Sequence, residues 1–99
     1  LYNGKYIVYS LANFSFAGNN KPSDMSSFIF QTRFAVKDGV PQPYGFRIIP
    51  MRISSKTDYN DFIPTPFTDQ RLIDNVINVL LSNGKKLEYA VAAYPQDWE

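Results

Sequence analysis

The chain has 99 residues, with ten basic and nine acidic side chains and a formal charge of +1. A length of this order is typical of one small domain, and a near-neutral balance argues against a nucleic-acid-binding surface, which usually makes a domain strongly basic. The sequence contains no His and no Cys. That absence excludes imidazole-dependent triads, thiol nucleophiles, disulfides and the usual transition-metal ligands within this chain.

The N-terminal segment predicts a buried strand. The turn dipeptide Asn3–Gly4 precedes residues 5–16, where β-branched and aromatic residues occupy both alternating positions. A strand that is apolar on both faces is typical of the centre of a covered sheet. The chain shows no targeting signal and no apolar run of about 18 residues, the length that spans a membrane. Because a strand pattern begins at once and no Met precedes it, we expect a piece of a longer protein.

Two further strands are predicted in the middle of the chain. Apolar and polar residues alternate over 27–37, which favours a strand with one solvent-exposed face, and Asp38–Gly39 is typical of the turn that ends it. A short proline-containing connection over 41–43 then precedes a third strand over 44–53. We expect this strand to be interrupted at Pro50, because proline cannot donate to a ladder.

One helix is predicted, over residues 69–83, with Thr68 as its N-cap and Asn83–Gly84 as its end. Its apolar stripe consists of Leu72, Ile73, Val76, Ile77, Leu80 and Leu81. The tail from Leu87 to Tyr94 fits strand and helix periodicities about equally, with a slight preference for strand. The pattern as a whole predicts a single α+β domain over 1–99, with mostly antiparallel strands and one amphipathic C-terminal helix.

A cluster of oxygen ligands follows the third predicted strand. Asp58, Asn60 and Asp61 lie at short spacing, but Phe62 stands where a calcium loop needs a third ligand, and no Gly follows it. We therefore interpret this cluster as an Asx-rich turn. The sequence predicts no catalytic residue and no metal ligand.

Three arginines lie on predicted strands close to aromatic residues: Arg33, Arg47 and Arg52. Guanidinium groups beside aromatic rings favour an anion- or glycan-binding face. The competing interpretation is ordinary solvated strand surface, which is the more common reason for an arginine on a strand.

Residues 4–18 resemble a segment of the bacterial poly-γ-glutamate capsule synthesis proteins of CapA type. That family has Gly-Lys, an apolar strand, then Tyr-Ser-Leu-Gly-Asn-Phe and Gly-Gly; here the second motif reads Tyr9-Ser10-Leu11-Ala12-Asn13-Phe14. Spaced agreement continues at Asn20, Pro22–Asp24, Ile49–Pro50, Ile53–Ser55, Asn60, Phe62 and Pro64–Pro66. Ala12 and Ala17 depart from the pattern, since the family usually has Gly at both positions.

The resemblance implies the C-terminal part of a calcineurin-like metallophosphatase fold, in which two β-sheets face each other with helices outside. The parent would be a metal-dependent hydrolase or phosphatase-like enzyme whose divalent-metal ligands lie upstream, so this chain would hold no cofactor and would not be catalytic in isolation. By the same analogy, Ser10 and Asn13 would lie at the rim of the parent's site. The alternative is that Asn13 caps a turn and Ser10 fills a tight buried position.

The implied function is that of a structural C-terminal domain in a protein of capsule or poly-γ-glutamate synthesis, at the bacterial cell envelope or outside the cell. The alternative is a free-standing envelope module that binds anionic glycan or polymer. The expected partner is the N-terminal part of the parent chain. For the isolated chain we expect a homodimer, formed through residues 28–36 or through the face of Tyr6 and Val8.

Overall fold

The computed structural model describes residues 2–9, 20–21 and 23–98, and these residues form an α+β fold, as predicted. Strands β1 (Ser26–Lys37), β2 (Val40–Arg52) and β3 (Thr65–Pro66) make one open antiparallel sheet in the order β1-β2-β3. Helix α1 (Gln70–Gly84) follows β3. Within the described residues, no helix combines the length and apolar character needed to span a membrane.

The β1–β2 hairpin is closed by the two-residue turn Asp38–Gly39, where the sequence predicted a turn. Both residues have positive φ, 53° and 78°, which is the signature of a type I′ turn. A Cβ added at Gly39 would meet no atom within 4 Å, so the backbone conformation and not lack of space favours glycine. From this turn, antiparallel pairing extends from the pair Lys37–Val40 to the pair Ser26–Arg52.

Strand β2 is longer than predicted, because Pro41 and Pro43 belong to it and not to a connection. Lys37 and Val40 flank a two-residue turn and therefore form a hydrogen-bonded pair. Positions 41 and 43 consequently direct their backbone nitrogens away from β1, where proline removes no ladder bond. The register shifts at Tyr44, the extra residue of a β-bulge on this strand.

The predicted interruption at Pro50 is wrong: Pro50 is buried within β2, opposite Phe28. Its carbonyl accepts the N–H of Phe67 at 3.1 Å. Since the N and C=O of one strand residue point to the same side, Pro50 directs its missing N–H toward β3 and costs the β1–β2 ladder nothing. Two residues earlier, the N–H of Ile48 donates to the carbonyl of Pro95 at 2.8 Å, so the C-terminal tail covers the same edge of β2.

The predicted N-terminal strand over 5–16 is not formed where the structure describes it. Tyr2 and Lys5 exchange two backbone hydrogen bonds across their turn, at 2.8 and 2.9 Å, and residues 6–9 belong to no strand. Ile7 is 54% exposed and Tyr9 79% exposed, so this part is not a buried central strand; residues 10–16 lie outside the described residues. The segment packs through Tyr6, which lies against the sheet and not within it.

Helix α1 begins one residue later than predicted, because Asp69 and not Thr68 is its N-cap. The Asp69 carboxylate accepts the N–H of Arg71 at 2.9 Å, and the negative charge also interacts favourably with the N-terminal end of the helix dipole. The helix ends at Gly84, where a Cβ would come within 3.3 Å of the Ala90 Cβ.

The predicted helix register is confirmed: all six residues of the apolar stripe are buried or half-buried, while Asp74, Asn75 and Asn78 are exposed. The tail over 87–94 forms turns and irregular structure, neither the preferred strand nor a helix. Besides Pro50, the buried apolar side chains of the described residues are Ile48, Met51, Ile53 and Val76. The helix thus contributes one buried apolar side chain, Val76, to a core built mainly from β2 and from Ile53, which follows it.

Replacing Val76 with Ala should lower the free energy of unfolding by about 1–3 kcal/mol, because two buried methyl groups are lost and a cavity remains. Val79 lies on the same helix and is 58% exposed. It is the matched control: Val79→Ala should change stability by no more than about 0.5 kcal/mol. Urea unfolding followed by circular dichroism measures both, and equal losses would contradict the helix register.

Candidate anion-binding site

Two of the three predicted arginines come together on one face of the hairpin. Gln31 and Arg47 are direct cross-strand partners, and Arg33 is two residues from Gln31 on β1, hence on the same face. The Nε of Arg47 donates to Oε1 of Gln31 at 2.6 Å. This hydrogen bond fixes the Arg47 guanidinium and leaves its two terminal amino groups available.

Trp98 completes the cluster from the C-terminal tail. The guanidinium carbon of Arg33 lies 4.1 Å from the centre of the indole ring, and that of Arg47 lies 5.0 Å from it. Two anchors hold the tail in place: the bond from Ile48 to the Pro95 carbonyl and the edge-on contact of Tyr94 with Phe46, whose ring centres are 6.1 Å apart. The strand register and the tail together bring three distant residues into contact.

Two members of the cluster, Arg33 and Trp98, line a cleft of about 260 Å³, which Tyr44 and Asp97 also line. Within the described residues, neither arginine forms an ion pair; the pair found there joins Arg71 and Asp69 at 3.8 Å, with both side chains largely exposed. A guanidinium over an aromatic ring keeps N–H donors at its rim, where they bind a carboxylate or a similar planar anion in a fork. The site therefore suits a small anionic group beside an apolar ring.

The third arginine does not join this cluster. Arg52 is five residues from Arg47 along β2, with no bulge between them, so it lies on the opposite face of the sheet. Its guanidinium carbon is 5.4 Å from the centre of the Phe67 ring. The predicted face of three arginines is thus divided into a pair and a separate residue.

The remaining predicted site residues, Ser10 and Asn13, lie outside the described residues. The described segment before them borders a second cleft, of about 380 Å³, between the N-terminal segment, the sheet and the end of α1. Its floor is an aromatic cluster in which Phe30 and Phe46 stack at 5.4 Å and Tyr6 meets both rings edge-on.

The acidic loop after β2 forms an Asx-type turn, as interpreted from the sequence. Asp61 accepts hydrogen bonds from the Ser54 hydroxyl at 2.9 Å, the Ser55 N–H at 2.9 Å, the Ser55 hydroxyl and the Ile63 N–H at 3.0 Å. The Asn60 side chain accepts the N–H of Phe62 at 2.8 Å. The carboxylate oxygens of Asp61 are therefore occupied in holding the loop.

These donors hold the pKa of Asp61 well below its usual range. The Ser55 hydroxyl lowers the pKa most and burial opposes it, while the Ser55 N–H, the Ser54 hydroxyl and the Ile63 N–H each lower the pKa further. Each donor stabilises the charged form. The perturbation therefore arises from the turn itself, and it marks a structural carboxylate.

Sequence reasoning missed Trp98 and Gln31. Trp98 is the only tryptophan of the chain, and it stands 65 positions after Arg33, beyond the reach of any periodicity. Gln31 carried a usable signal, because it alternates with Arg33 on the polar face of a predicted strand. Its pairing with Arg47 depends on the hairpin register, which the turn at Asp38–Gly39 sets.

Comparison with known proteins identifies no relative. No family model matches the chain, and no curated protein and no solved structure matches it. The likeness to the CapA family therefore rests on the sequence motifs of residues 4–66 alone.

Acid should weaken the Asp61 turn in a defined pH range. Because the pKa is depressed in the folded state, the stabilisation is fully present above the unfolded value of about 3.9 and is lost as pH falls below it. We expect Asp61→Asn to lower the urea midpoint at pH 5.5, and the difference from the parent chain to shrink by pH 3. Asp58→Asn, at an exposed position of the same loop, is the control. A difference that is as large at pH 3 as at pH 5.5 would contradict this role.

Proposed function

We propose that this chain is the non-catalytic C-terminal part of a CapA-type protein that serves capsule or poly-γ-glutamate synthesis at the bacterial envelope. The observation that carries the proposal is the spaced agreement of residues 4–66 with the pattern of that family. In this proposal the N-terminal part of the parent supplies the metal ligands and the hydrolase or transferase chemistry. In the same proposal, Ser10 and Asn13 lie at the rim of the parent's site, and the present chain packs against the N-terminal part of the parent.

Exposed apolar side chains support packing against a further partner. Ile7, Val8 and Tyr9 are exposed on the N-terminal segment, next to the open aromatic cleft. A soluble domain rarely leaves neighbouring apolar side chains uncovered unless they meet a partner. The N-terminal part of the parent, which precedes this segment in the chain, would cover these exposed side chains and the cleft beside them.

The coding sequence upstream of Leu1 tests this proposal. A His-x-His element together with Asp, Asn and Glu ligands immediately upstream would support it, because a metallophosphatase site needs such donors and the chain has no His of its own. A stop codon or an unrelated domain at that position would contradict it and would leave the second function below.

The second function, binding of anionic glycan or polymer by an envelope module, is favoured by one observation: the Arg33–Trp98–Arg47 cluster. Two cations that share a ring and lack a carboxylate partner in the described structure can each bind an acidic group. A polymer that presents repeated carboxylates would engage both. Asp97 lines the same cleft and would oppose an anion there.

Trp98 provides a direct readout, because it is the only tryptophan. Titration with poly-γ-glutamate should change its fluorescence, and added salt should weaken the binding. Arg33→Gln and Arg47→Gln should each weaken binding about 10- to 100-fold, which corresponds to the loss of one charge-assisted hydrogen bond of about 1.5–3 kcal/mol. Asp97→Asn should strengthen it.

Arg52→Gln is the matched control, since it removes the same charge from the opposite face. Equal weakening by Arg52→Gln would show a nonspecific charge effect, and an unchanged Trp98 signal with bound polymer would place binding elsewhere. Either result would contradict a site at Trp98.

A further inference from the structure

The outer edge of β1 is the longest open strand edge among the described residues. β1 is the first strand of the sheet and has twelve residues, and among the described residues β2 alone pairs with it. An open edge presents N–H and C=O groups that can pair with another strand. Edges are commonly protected by proline, by a bulge or by charged side chains; here the prolines and the extra residue of the bulge lie on β2, and the charged residues of β1 are Arg33 and Lys37.

The alternation of the hairpin identifies which backbone groups are open. Lys37 forms the hydrogen-bonded pair beside the turn, and the N–H of Ile53 donates to the Met25 carbonyl at 2.8 Å at the other end. The odd-numbered residues of β1 therefore point their backbone groups toward β2, and the even-numbered residues point theirs outward. Asp24 accepts the N–H of Ser26 at 2.9 Å, which leaves five outward residues: Phe28, Phe30, Thr32, Phe34 and Val36.

We propose that this edge binds the β1 edge of a second copy of the chain, antiparallel and about a two-fold axis at Thr32, to give one continuous six-stranded sheet. The register places Phe30 opposite Phe34 and Phe28 opposite Val36. All five outward residues then lie at hydrogen-bonded positions of the new ladder. The inference does not rest on the proposed function.

The distribution of apolar exposure favours this partner and register. Phe34 is 58% exposed and Val36 71% exposed, whereas Phe28 and Phe30 near the body of the domain are half-buried. Antiparallel pairing sets the exposed end of each β1, which holds Phe34 and Val36, beside the half-buried end of the other β1. Aromatic and β-branched side chains in direct cross-strand pairs stabilise a sheet, and each copy covers the exposed side chains of the other.

Charge also selects the register. β1 carries two charged side chains, Arg33 and Lys37, both positive. With the axis at Thr32, Arg33 lies opposite Gln31 of the second copy and Lys37 opposite Ser27. An axis one residue later would set Arg33 directly against Arg33, which is destabilising.

Single-cysteine variants test the register, because the chain has no cysteine of its own. In the proposed dimer the two Thr32 Cα atoms are about 5.5 Å apart, within disulfide reach, so Thr32→Cys should form disulfide-linked dimers under mild oxidation. The two Val36 residues are separated by eight residue steps, roughly 27 Å. Val36→Cys should therefore cross-link far less, although its side chain is the more exposed.

Light scattering over a wide concentration range measures the association without cysteine. Val36→Pro removes an outward N–H and no β1–β2 bond, so it should shift the dimer to monomer while the circular dichroism of the chain is retained. Tyr44→Ser removes an exposed ring from β2 and should leave the dimer intact. A chain that stays monomeric at every concentration, cross-linking of Val36→Cys that equals that of Thr32→Cys, or loss of the dimer in Tyr44→Ser would overturn the proposal.

Discussion

The structure depends on the two-sided use of the β2 backbone. In the part of β2 that follows the bulge at Tyr44, alternate residues pair with β1 through their backbone groups. The backbone groups of the residues between them point away from β1 and can pair with other segments. The far side is covered by two different segments: the tail, which accepts from Ile48, and the β3 region, whose Phe67 donates to Pro50. A strand that is central for part of its length and covered by irregular chain for the rest explains why a buried proline is tolerated within it. It also explains how the last residues of the chain reach the hairpin.

Because the tail is fixed to β2, Trp98 is placed beside side chains that the hairpin has already aligned. The turn at Asp38–Gly39 determines that Gln31 lies opposite Arg47, and the bond between them determines the direction of the guanidinium. The indole then occupies the space beside two cations. Each contact is weak alone, since an exposed cation–π contact contributes about 0.5–1 kcal/mol. The arrangement is specific because backbone hydrogen bonds determine both the register and the path of the tail.

Most elements with a local cause were predicted from the sequence, although the interruption expected at Pro50 was wrong, and elements with a distant partner were not predicted. The turn at Asp38–Gly39, the alternation in β1 and the apolar stripe of α1 follow from short-range conformational and periodic preferences. The N-terminal segment has the composition of a buried strand, but a strand also needs backbone pairing with a neighbour, and residues 6–9 form none; the segment contacts the sheet through the Tyr6 ring instead. Likewise, the N-cap was predicted at Thr68 and is found at Asp69. Either side chain can cap a helix, and the path of the preceding chain selects one of them. For the site, the sequence provided both arginines but neither their tryptophan nor the exclusion of Arg52.

The Arg33–Trp98–Arg47 cluster and the proposed dimer edge both lie on the β1–β2 hairpin, so anion binding and association affect each other. A two-fold axis perpendicular to the sheet keeps equivalent side chains on the same face, so the Arg33–Trp98–Arg47 clusters of both copies would lie side by side. The two Arg33 residues flank the axis as diagonal neighbours, at roughly 7–8 Å between Cα atoms, where their like charges repel. An anion bound between the clusters would remove that repulsion. Since a ligand that binds the dimer more tightly than the monomer must also strengthen the dimer, a polymer with repeated carboxylates would promote association, whereas a single small carboxylate would screen the charge without joining the two sites.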